Sequence, residues 1–277
     1  MTQKSILMTG CSSGIGYDAA HRLAKRGWRV FATCRQETDC ARLRAEGLES
    51  FQLDHTDADS IKAAVTEATT RTGGTLDAVF ANGAYGLPAA AEDLPTEALR
   101  HIFETNFFGV HELTRTVLPI LRAQGHGRII MCSSVLGIAT MRWRSAYAAT
   151  KFALEGYTDT LRIEMAPENI QCVLIEPGPI TTQFRQNARA PFERWIDWKN
   201  SPRKAFYESE VIPRLYADNT KKDPFELGPE AVTKKLIHAL DSAHPRARYR
   251  VTGVTHIAAF LVRFAPNRLL DWIIARI

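Results

Sequence analysis

The glycine-rich segment from Gly10 to Gly16 constrains the fold of this chain most, because of what stands on either side of it. Residues 5–9 form a short apolar run that is typical of a buried strand, and residues 17–26 have a helical pattern. Strand, glycine turn and helix in this order make the first half of a dinucleotide-binding unit. Gly10 and Gly16 would permit the tight turn and the close packing of helix on strand, and Gly14 the approach of a pyrophosphate. The alternative interpretation is a plain β–α turn.

The rest of the chain alternates short apolar runs with helical patterns. Further strands are predicted at residues 28–34, 49–53, 76–81, 128–132 and 171–175. This alternation is typical of an α/β protein with a doubly wound, Rossmann-type parallel sheet and helices on both faces. The length of 277 residues fits a single dinucleotide-binding catalytic domain over residues 1–277.

Charge and cysteine content narrow the class of protein. The net charge of +5 is mild and the basic residues are scattered, so no nucleic-acid partner is predicted. The five cysteines lack the C-x-x-C spacing of metal sites, and their apolar surroundings are typical of reduced thiols in a cytoplasmic protein. No signal peptide precedes the first strand, and the apolar run at residues 257–262 is too short to span a bilayer.

The end of the second predicted strand bears on the choice of cofactor. Proteins that bind NAD usually have an acidic residue there, which holds the ribose 2′-hydroxyl, but this chain has Cys34 and Arg35. An arginine suits a 2′-phosphate and therefore indicates NADP(H), with a further hydroxyl contact from Ser13. The alternative interpretation is a solvated loop arginine. Asp54, after the third strand, could accept a hydrogen bond from an adenine amino group or cap the next helix.

A second group of chemically active side chains follows the strand at residues 128–132. Tyr147 and Lys151 are four residues apart, so on a helix they share one face. We expect the ammonium to lower the pKa of the phenol from its ordinary value of about 10, which would suit it to acid–base catalysis. The loop before them could bring the Ser134 hydroxyl to the phenol. Taken alone, such a pair more often means a solvated Lys beside a half-buried Tyr.

One helical pattern, over residues 96–123, contains a disturbance at Asn106 and Gly109. A buried amide needs hydrogen-bond partners, and a local kink that frees a backbone carbonyl for a bound water would explain it.

These residues together resemble the short-chain dehydrogenase/reductase family. The motifs that carry the resemblance are T-G-x-x-x-G-x-G at residues 9–16, Asn82, Asn106, Ser134, Y-x-x-x-K at residues 147–151, Pro177-Gly178 and Thr182. They occur in the order and spacing of the family and cover residues 4–182. The sequences of the glycine turn and of the segment A-T-C-R are most similar to those of the branch of 17-beta-hydroxysteroid and retinol dehydrogenases. One departure is Asn82-Gly83-Ala84, where the family usually has Asn-Ala-Gly.

The resemblance implies hydride transfer between a nicotinamide cofactor and a substrate carbon. Tyr147 would act as general acid in reduction and as base in oxidation, Lys151 would lower its pKa and bind the nicotinamide ribose, and Ser134 would orient the carbonyl oxygen. Asn106 would position a water that links Lys151 to solvent. The implied cofactor-binding residues are Gly10, Ser12, Ser13, Gly14, Ile15, Gly16, Arg35, Asp54, Asn82, Tyr147, Lys151, Pro177, Gly178, Ile180 and Thr182.

Two segments lie beyond these motifs. Residues 183–225 are rich in aromatic side chains, and in the family this region covers the substrate, so an aromatic helical lid would suit a large apolar substrate. The alternative is that the aromatics pack one helix against the domain. The tail, about 254–277, is predicted to be a helical extension with one apolar face, formed by Leu269, Leu270, Ile273, Ile274 and Ile277. We expect this face to dock on the domain or on a partner subunit, with a membrane surface as the alternative.

The sequence therefore predicts an NADP(H)-dependent oxidoreductase that acts on a hydrophobic ketone, aldehyde or alcohol of steroid, retinoid or lipid type. A β-ketoacyl thioester reductase and a non-catalytic NADP(H)-binding sensor are the alternatives, and the complete set of Ser134, Tyr147 and Lys151 disfavours the sensor. No metal site is predicted. A homodimer or homotetramer is expected by analogy with the family alone.

Overall fold

The fold is built on one parallel sheet. The structure, a computed structural model, describes residues 3–217 and 223–276. Its strands are β1 (Ser5–Met8), β2 (Arg29–Cys34), β3 (Glu49–Gln52), β4 (Ala78–Ala81), β5 (Gly127–Cys132), β6 (Ile170–Glu176) and β7 (Arg248–Arg250). Within these residues the seven strands are ordered β3-β2-β1-β4-β5-β6-β7 and all neighbouring pairs are parallel. The predicted doubly wound sheet is confirmed.

Helices connect the strands and cover the sheet. They are α1 (Gly14–Lys25), α2 (Glu37–Ala45), α3 (Ala58–Thr72), α4 (Thr96–Phe103), α5 (Gly109–Gln124), α6 (Ser145–Met165), α7 (Phe184–Asn187), α8 (Arg189–Trp195), α9 (Lys204–Phe206), α10 (Ile212–Tyr216), α11 (Glu230–Asp241), α12 (Gly253–Phe264) and α13 (Asn267–Ile274). Local chemistry sets their ends. The Asp57 carboxylate, for example, accepts from the backbone N–H groups of Asp59 and Ser60 at the start of α3, and Gly73 ends that helix in the left-handed region.

Both faces of the sheet are buried because successive side chains of a strand point to opposite sides. Ile6 and Met8 of β1 pack with α1, α2 and α11, whereas Leu7 between them packs with α3, α5 and α6. The strands β1, β2, β4, β5 and β6 contribute to both apolar cores, which explains their nearly continuous runs of apolar residues.

The predicted disturbance in the helix after β4 is confirmed as a π-helical turn. Residues Glu104–Phe108 widen the helix between α4 and α5 and contain Asn106, which is buried. Turns of this kind recur at functional sites because they displace side chains and backbone groups from regular helical positions.

Within the segment predicted as a lid, residues 188–215 contribute to a third core above the carboxyl ends of the strands. Residues 218–222 of that segment lie outside the described residues. Phe192 and Tyr207 are fully buried in this core, together with Ile102 of α4 and Tyr147 of α6. The Tyr207 hydroxyl donates to Asp93 at 2.8 Å and accepts from the Ala90 N–H at 2.9 Å. For these two aromatics the packing interpretation holds.

The predicted C-terminal helical extension consists of two helices, α12 and α13. Pro266 separates α12 from α13, because a proline forces the residue before it, Ala265, out of helical geometry. Leu269 and Trp272 of α13 are exposed, and Ile274 faces the central cavity. Ile277 lies outside the described residues. Among residues 3–217 and 223–276, no helix combines the length and the apolar character needed to cross a membrane.

Candidate active site

The carboxyl ends of β1, β4, β5 and β6 open into one cavity of about 450 Å³. Ligand sites of open α/β sheets lie at this edge, where the strand order reverses. Of the predicted site residues, the cavity is lined by Gly10, Ser12, Ser13, Gly14, Ile15, Asn82, Ser134, Tyr147, Lys151, Pro177, Gly178, Ile180 and Thr182. Gly16, Arg35, Asp54 and Asn106 lie outside the lining.

The glycine turn has the backbone geometry that a dinucleotide cradle requires. Gly10 and Gly14 adopt positive φ angles of 68° and 59°, in the region that favours glycine. A Cβ added at Gly16 would lie 2.2 Å from the carbonyl oxygen of Gly10, and one at Gly14 would lie 2.8 Å from the Thr182 side chain. The turn therefore brings backbone close to backbone, with the N-terminus of α1 facing the cavity. This surface fits the pyrophosphate of a nicotinamide cofactor.

Asn82 fastens this turn to the end of β4. Its side-chain Nδ2 donates to the carbonyls of Thr9 and Gly10 at 3.2 and 3.1 Å. The Thr9 hydroxyl in turn accepts from the N–H groups of Asn82 and Gly83, both at 3.0 Å. The departure at Gly83 has a local reason, since a Cβ there would lie 3.2 Å from the buried ring of His55.

Two arginines near the glycine turn, Arg35 after β2 and Arg42 of α2, lie outside the cavity lining, and only Arg35 was predicted as a cofactor contact. Arg35 is exposed after β2, and its guanidinium makes no ion pair within the described residues. Arg42 of α2 donates to the carbonyl of Ser12 at 2.6 Å and lies over the Tyr17 ring, 5.4 Å from its centroid. Arg42 was missed because nothing in its helical context distinguishes it from a solvated residue.

Asp54 does not cap α3, since that role belongs to Asp57. The Asp54 carboxylate accepts instead from the N–H and the hydroxyl of Thr56, both at 2.9 Å. These bonds use one oxygen, Oδ1, so the second oxygen is available to a ligand. The contact with adenine stays a prediction.

Tyr147 and Lys151 of α6 lie side by side, almost completely buried. The Lys151 Nζ is 5.6 Å from the centroid of the Tyr147 ring and donates to the carbonyl of Cys132 at 2.7 Å. The pKa of Tyr147 differs from the expectation: burial raises it, the Cys132 thiol adds to the rise, and a hydrogen bond with Ser134 lowers it in part. Burial also lowers the pKa of Lys151. Burial is the largest cause of this rise in the pKa of Tyr147, so the phenol is held in its protonated form.

The loop after β5 positions Ser134. The N–H of Ser133 donates to the Ile175 carbonyl at 2.8 Å, and the N–H of Val135 donates to the Pro177 carbonyl at 2.7 Å. The Ser134 hydroxyl accepts from the Leu136 N–H at 3.1 Å. Hydrogen bonds on both sides thus fix the serine against the end of β6 and in reach of the Tyr147 phenol.

The buried amide of Asn106 has found its partners. Nδ2 donates to the Tyr85 carbonyl at 2.9 Å and to the Thr150 hydroxyl at 3.2 Å, and Oδ1 accepts from the Tyr85 N–H at 3.1 Å. The π-helical turn therefore ties the loop after β4 to the turn of α6 that lies between Tyr147 and Lys151. The water relay to Lys151 stays a prediction.

A buried acidic cluster behind the site was not predicted. Glu176 ends β6, directly before Pro177, and its side chain is fully buried beside Glu155 of α6. Arg248 Nε and Arg250 Nε of β7 lie 3.0 and 3.4 Å from its carboxylate oxygens. Burial and then the charge of Glu155 nevertheless raise the pKa of Glu176 to about 7. The pairing of β6 with β7 brings these residues together, and no local sequence motif predicts the cluster.

The substrate end of the cavity has aromatic walls. The Phe184 ring meets the Tyr147 ring edge to face, with centroids 5.2 Å apart. Trp143 and Phe206, both lining residues, stack with centroids 4.0 Å apart. Phe184 and Phe206 therefore line the cavity, and their contact with a substrate stays a prediction.

Comparison with known proteins agrees with this geometry. The family model described as "short chain dehydrogenase" matches residues 4–192. The chain is 36% identical over 277 residues to the uncharacterized oxidoreductase YbbO of Escherichia coli, covering 98% of this chain and 94% of that protein. It is 31% identical to human retinol dehydrogenase 8, with 91% and 82% covered. It is also 31% identical to human 17-beta-hydroxysteroid dehydrogenase type 1, with 91% and 78% covered.

Solved structures share the fold over nearly the whole chain. A short-chain dehydrogenase from Streptomyces avermitilis superposes with a TM-score of 0.77 at 27% identity, covering 99% of this chain and 95% of that one. A short-chain dehydrogenase/reductase from Burkholderia phymatum in complex with NAD gives 0.79 at 23% identity, with 99% and 95% covered. One from Burkholderia cenocepacia in complex with NADP gives 0.75 at 19% identity, with 98% and 97% covered.

Proposed function

The chain belongs to the short-chain dehydrogenase family, and from that premise we propose that it is an NADP(H)-dependent oxidoreductase for hydrophobic ketones, aldehydes or alcohols. One observation carries the proposal: Ser134, Tyr147 and Lys151 lie together on the wall of the cavity that the glycine turn also lines. Such a site places a proton donor and a cofactor-binding surface around the same cavity.

The nicotinamide cofactor supplies or accepts the hydride when bound, and the chain's own residues handle the proton. Burial keeps the Tyr147 phenol protonated, so it is ready to donate to the oxygen of a carbonyl that Ser134 orients. The Lys151 ammonium stabilises the phenolate that remains when the proton has left. Asn106 acts as a positioning residue, because it fixes α6 between these two side chains.

The preference for NADP(H) rests on the charges at the adenosine end. The residue directly after β2 is Arg35 rather than an acidic residue, and its guanidinium is exposed and free of ion pairs within the described residues. An arginine in this position binds a 2′-phosphate by charge-assisted hydrogen bonds.

Aromatic cavity walls, exposed aromatic side chains of the tail and free thiols support the remaining parts of the proposal. Phe184 and the Trp143–Phe206 stack suit an apolar substrate of steroid, retinoid or lipid type. Phe264 of α12 and Trp272 of α13 are 70% and 55% exposed, which supports an interface between copies of the chain in a homodimer or homotetramer. Five free, buried thiols suit a cytoplasmic location.

The test is NADPH oxidation by the purified protein with 2-decanone, accompanied by analysis of the product. The proposal predicts that one molecule of 2-decanol forms for each NADPH consumed. NADPH that binds tightly but is not consumed with 2-decanone or with any larger ketone would contradict it.

A further inference from the structure

The substrate end of the cavity holds more positive charge than a purely apolar ligand requires. Arg144, Arg185 and Arg214 all line it. The Asp223 carboxylate pairs with Arg185 at 2.9 Å and with Arg214 at 3.1 Å. Within residues 3–217 and 223–276, no carboxylate pairs with Arg144. Its guanidinium makes one hydrogen bond, to the carbonyl of the preceding residue Trp143, at 3.3 Å.

The other acidic residues of the lining do not neutralise Arg144. Glu226 accepts from the Thr181 hydroxyl at 2.5 Å and from the Asp223 N–H at 2.7 Å, and Glu210 is exposed. Burial, followed by the charges of Arg214 and Arg185, lowers the pKa of Arg144 to about 10. The charge of Asp223 opposes this shift only in part. The group is therefore charged at neutral pH and partly buried, and it lacks a carboxylate at ion-pair distance within the described residues.

The backbone before Arg144 is held in an unusual conformation. Trp143 has a φ of 63°, which is unfavourable for a bulky side chain and is typical of residues whose surroundings enforce a functional geometry. Its stack on Phe206 and the hydrogen bond from the Ala89 N–H to its carbonyl, at 3.1 Å, enforce it. The backbone position from which the Arg144 side chain extends is thereby fixed.

Arg144 stands close to the reacting group, at the N-cap of the helix that carries it. It lies three residues before Tyr147, and both side chains line the cavity. The first turn of α6 contains no acidic residue and has no side-chain cap. Its N-terminal N–H groups add positive potential on the side of Arg144.

We propose that Arg144 binds the anionic group of an amphiphilic substrate, a carboxylate or a phosphate, whose apolar chain lies against Phe184 and the Trp143–Phe206 stack. This inference rests on the proposed function and names its substrate class: an oxo or hydroxy compound with both an apolar chain and an anionic group. A planar guanidinium suits either anion through two parallel hydrogen bonds.

The test compares three ligands of equal chain length, decanoate, decyl phosphate and methyl decanoate, by isothermal titration into NADPH-saturated protein. One or both anions should bind ~10- to 100-fold more tightly than the neutral ester, the range for hydrogen bonds to a charged group. A tighter complex with decanoate indicates a carboxylate substrate, and one with decyl phosphate indicates a phosphate. Equal binding of all three ligands by the unaltered protein overturns the inference without any variant.

Variants then locate the anion. Arg144→Gln should reduce the ratio of anion to ester affinity to about twofold or less, because the charge that distinguishes the ligands is gone, and Arg144→Lys should restore part of it. Arg100→Gln is the matched control, because Arg100 is an exposed arginine of α4 outside the cavity lining; it should keep the full ratio. A ratio that survives in Arg144→Gln overturns the assignment.

The two proposals fail in different ways. Turnover of neutral 2-decanone without any preference for anions would refute the anion site and leave the oxidoreductase intact. Arg144-dependent binding of the anions without reduction of any ketone would support the anion site and refute the oxidoreductase proposal.

Discussion

The cofactor side and the substrate side of the cavity are built in different ways. On the cofactor side, backbone makes the surface: Gly10, Gly14 and Gly16 bring main chain against main chain, and Asn82 ties the turn to β4. On the substrate side, the surface consists of side chains from distant segments, such as Phe184, Phe206 and Arg144. A backbone surface is fixed by a few residue types at fixed spacing, whereas a side-chain surface can change without loss of the fold. The cofactor class is therefore encoded locally and the substrate class is not.

Tyr147 lies at the boundary between the two sides, and its removal should have the largest effect. Tyr147→Phe should lower kcat for ketone reduction by ~100- to 10,000-fold, the usual contribution of a general acid. The Kd for NADPH should stay within a factor of about two, because the phenol hydroxyl is not part of the glycine cradle. Steady-state kinetics and NADPH titration measure the two quantities. Retained turnover would show that another group donates the proton.

The cofactor side should be intolerant of a single methyl group. Gly16→Ala places a Cβ 2.2 Å from the Gly10 carbonyl oxygen, so the turn must open. We expect this to lower the free energy of unfolding by about 1–3 kcal/mol. NADPH affinity should fall with it.

Gly156→Ala is the matched control for this substitution. Gly156 is an exposed position within α6, and a Cβ there meets no atom within 4 Å. This variant should gain about 0.5–1 kcal/mol in unfolding free energy and bind NADPH normally. Urea unfolding gives both values, and equal behaviour of the two variants would contradict the account of the turn.

The acidic cluster behind β6 should make stability depend on pH. The pKa of Glu176 rises from 4.5 to about 7 on folding, so the native state binds this proton more tightly than the unfolded state. The stabilisation is greatest below pH 4.5 and is lost as the pH rises through 7.

Glu176→Gln isolates this contribution. Relative to the variant, the unaltered protein should lose on the order of 2 kcal/mol of unfolding free energy as the pH rises from 4.5 to 7. Unfolding curves recorded across the range would show it. Parallel pH profiles for the two proteins would mean that Arg248 and Arg250 keep the carboxylate ionised.

The smallest expected effect concerns cofactor preference. Arg35→Ala should raise the KM for NADPH about tenfold through loss of a charge-assisted hydrogen bond, and should leave the KM for NADH nearly unchanged. Arg122→Ala, which removes an exposed arginine at the far end of α5, serves as the control. An equal change for both cofactors would remove Arg35 from the 2′-phosphate site.

The sequence predicted the parts of the site that depend on local pattern. Two features could be predicted in this way, the strand–turn–helix at residues 5–26 and the helix interruption around Asn106. Each changes backbone geometry within a few residues. Arg42, Arg144 and Glu176 could not be predicted, since only tertiary packing gives them their neighbours. The raised pKa of Tyr147 also escaped prediction, because burial is a property of the folded chain. The C-terminal helical extension was predicted from its apolar pattern, and Pro266 divides it into α12 and α13.

In the proposed reaction, the nicotinamide bound in this cavity passes a hydride to a carbonyl carbon while Tyr147 supplies the proton. The most direct measurement uses NADPH that carries deuterium at the transferable position of the nicotinamide, with 2-decanone as substrate and mass spectrometry of the product. The account predicts 2-decanol with deuterium on the carbinol carbon, and very little product from Tyr147→Phe. Alcohol without deuterium, or equal yields from both proteins, would contradict it.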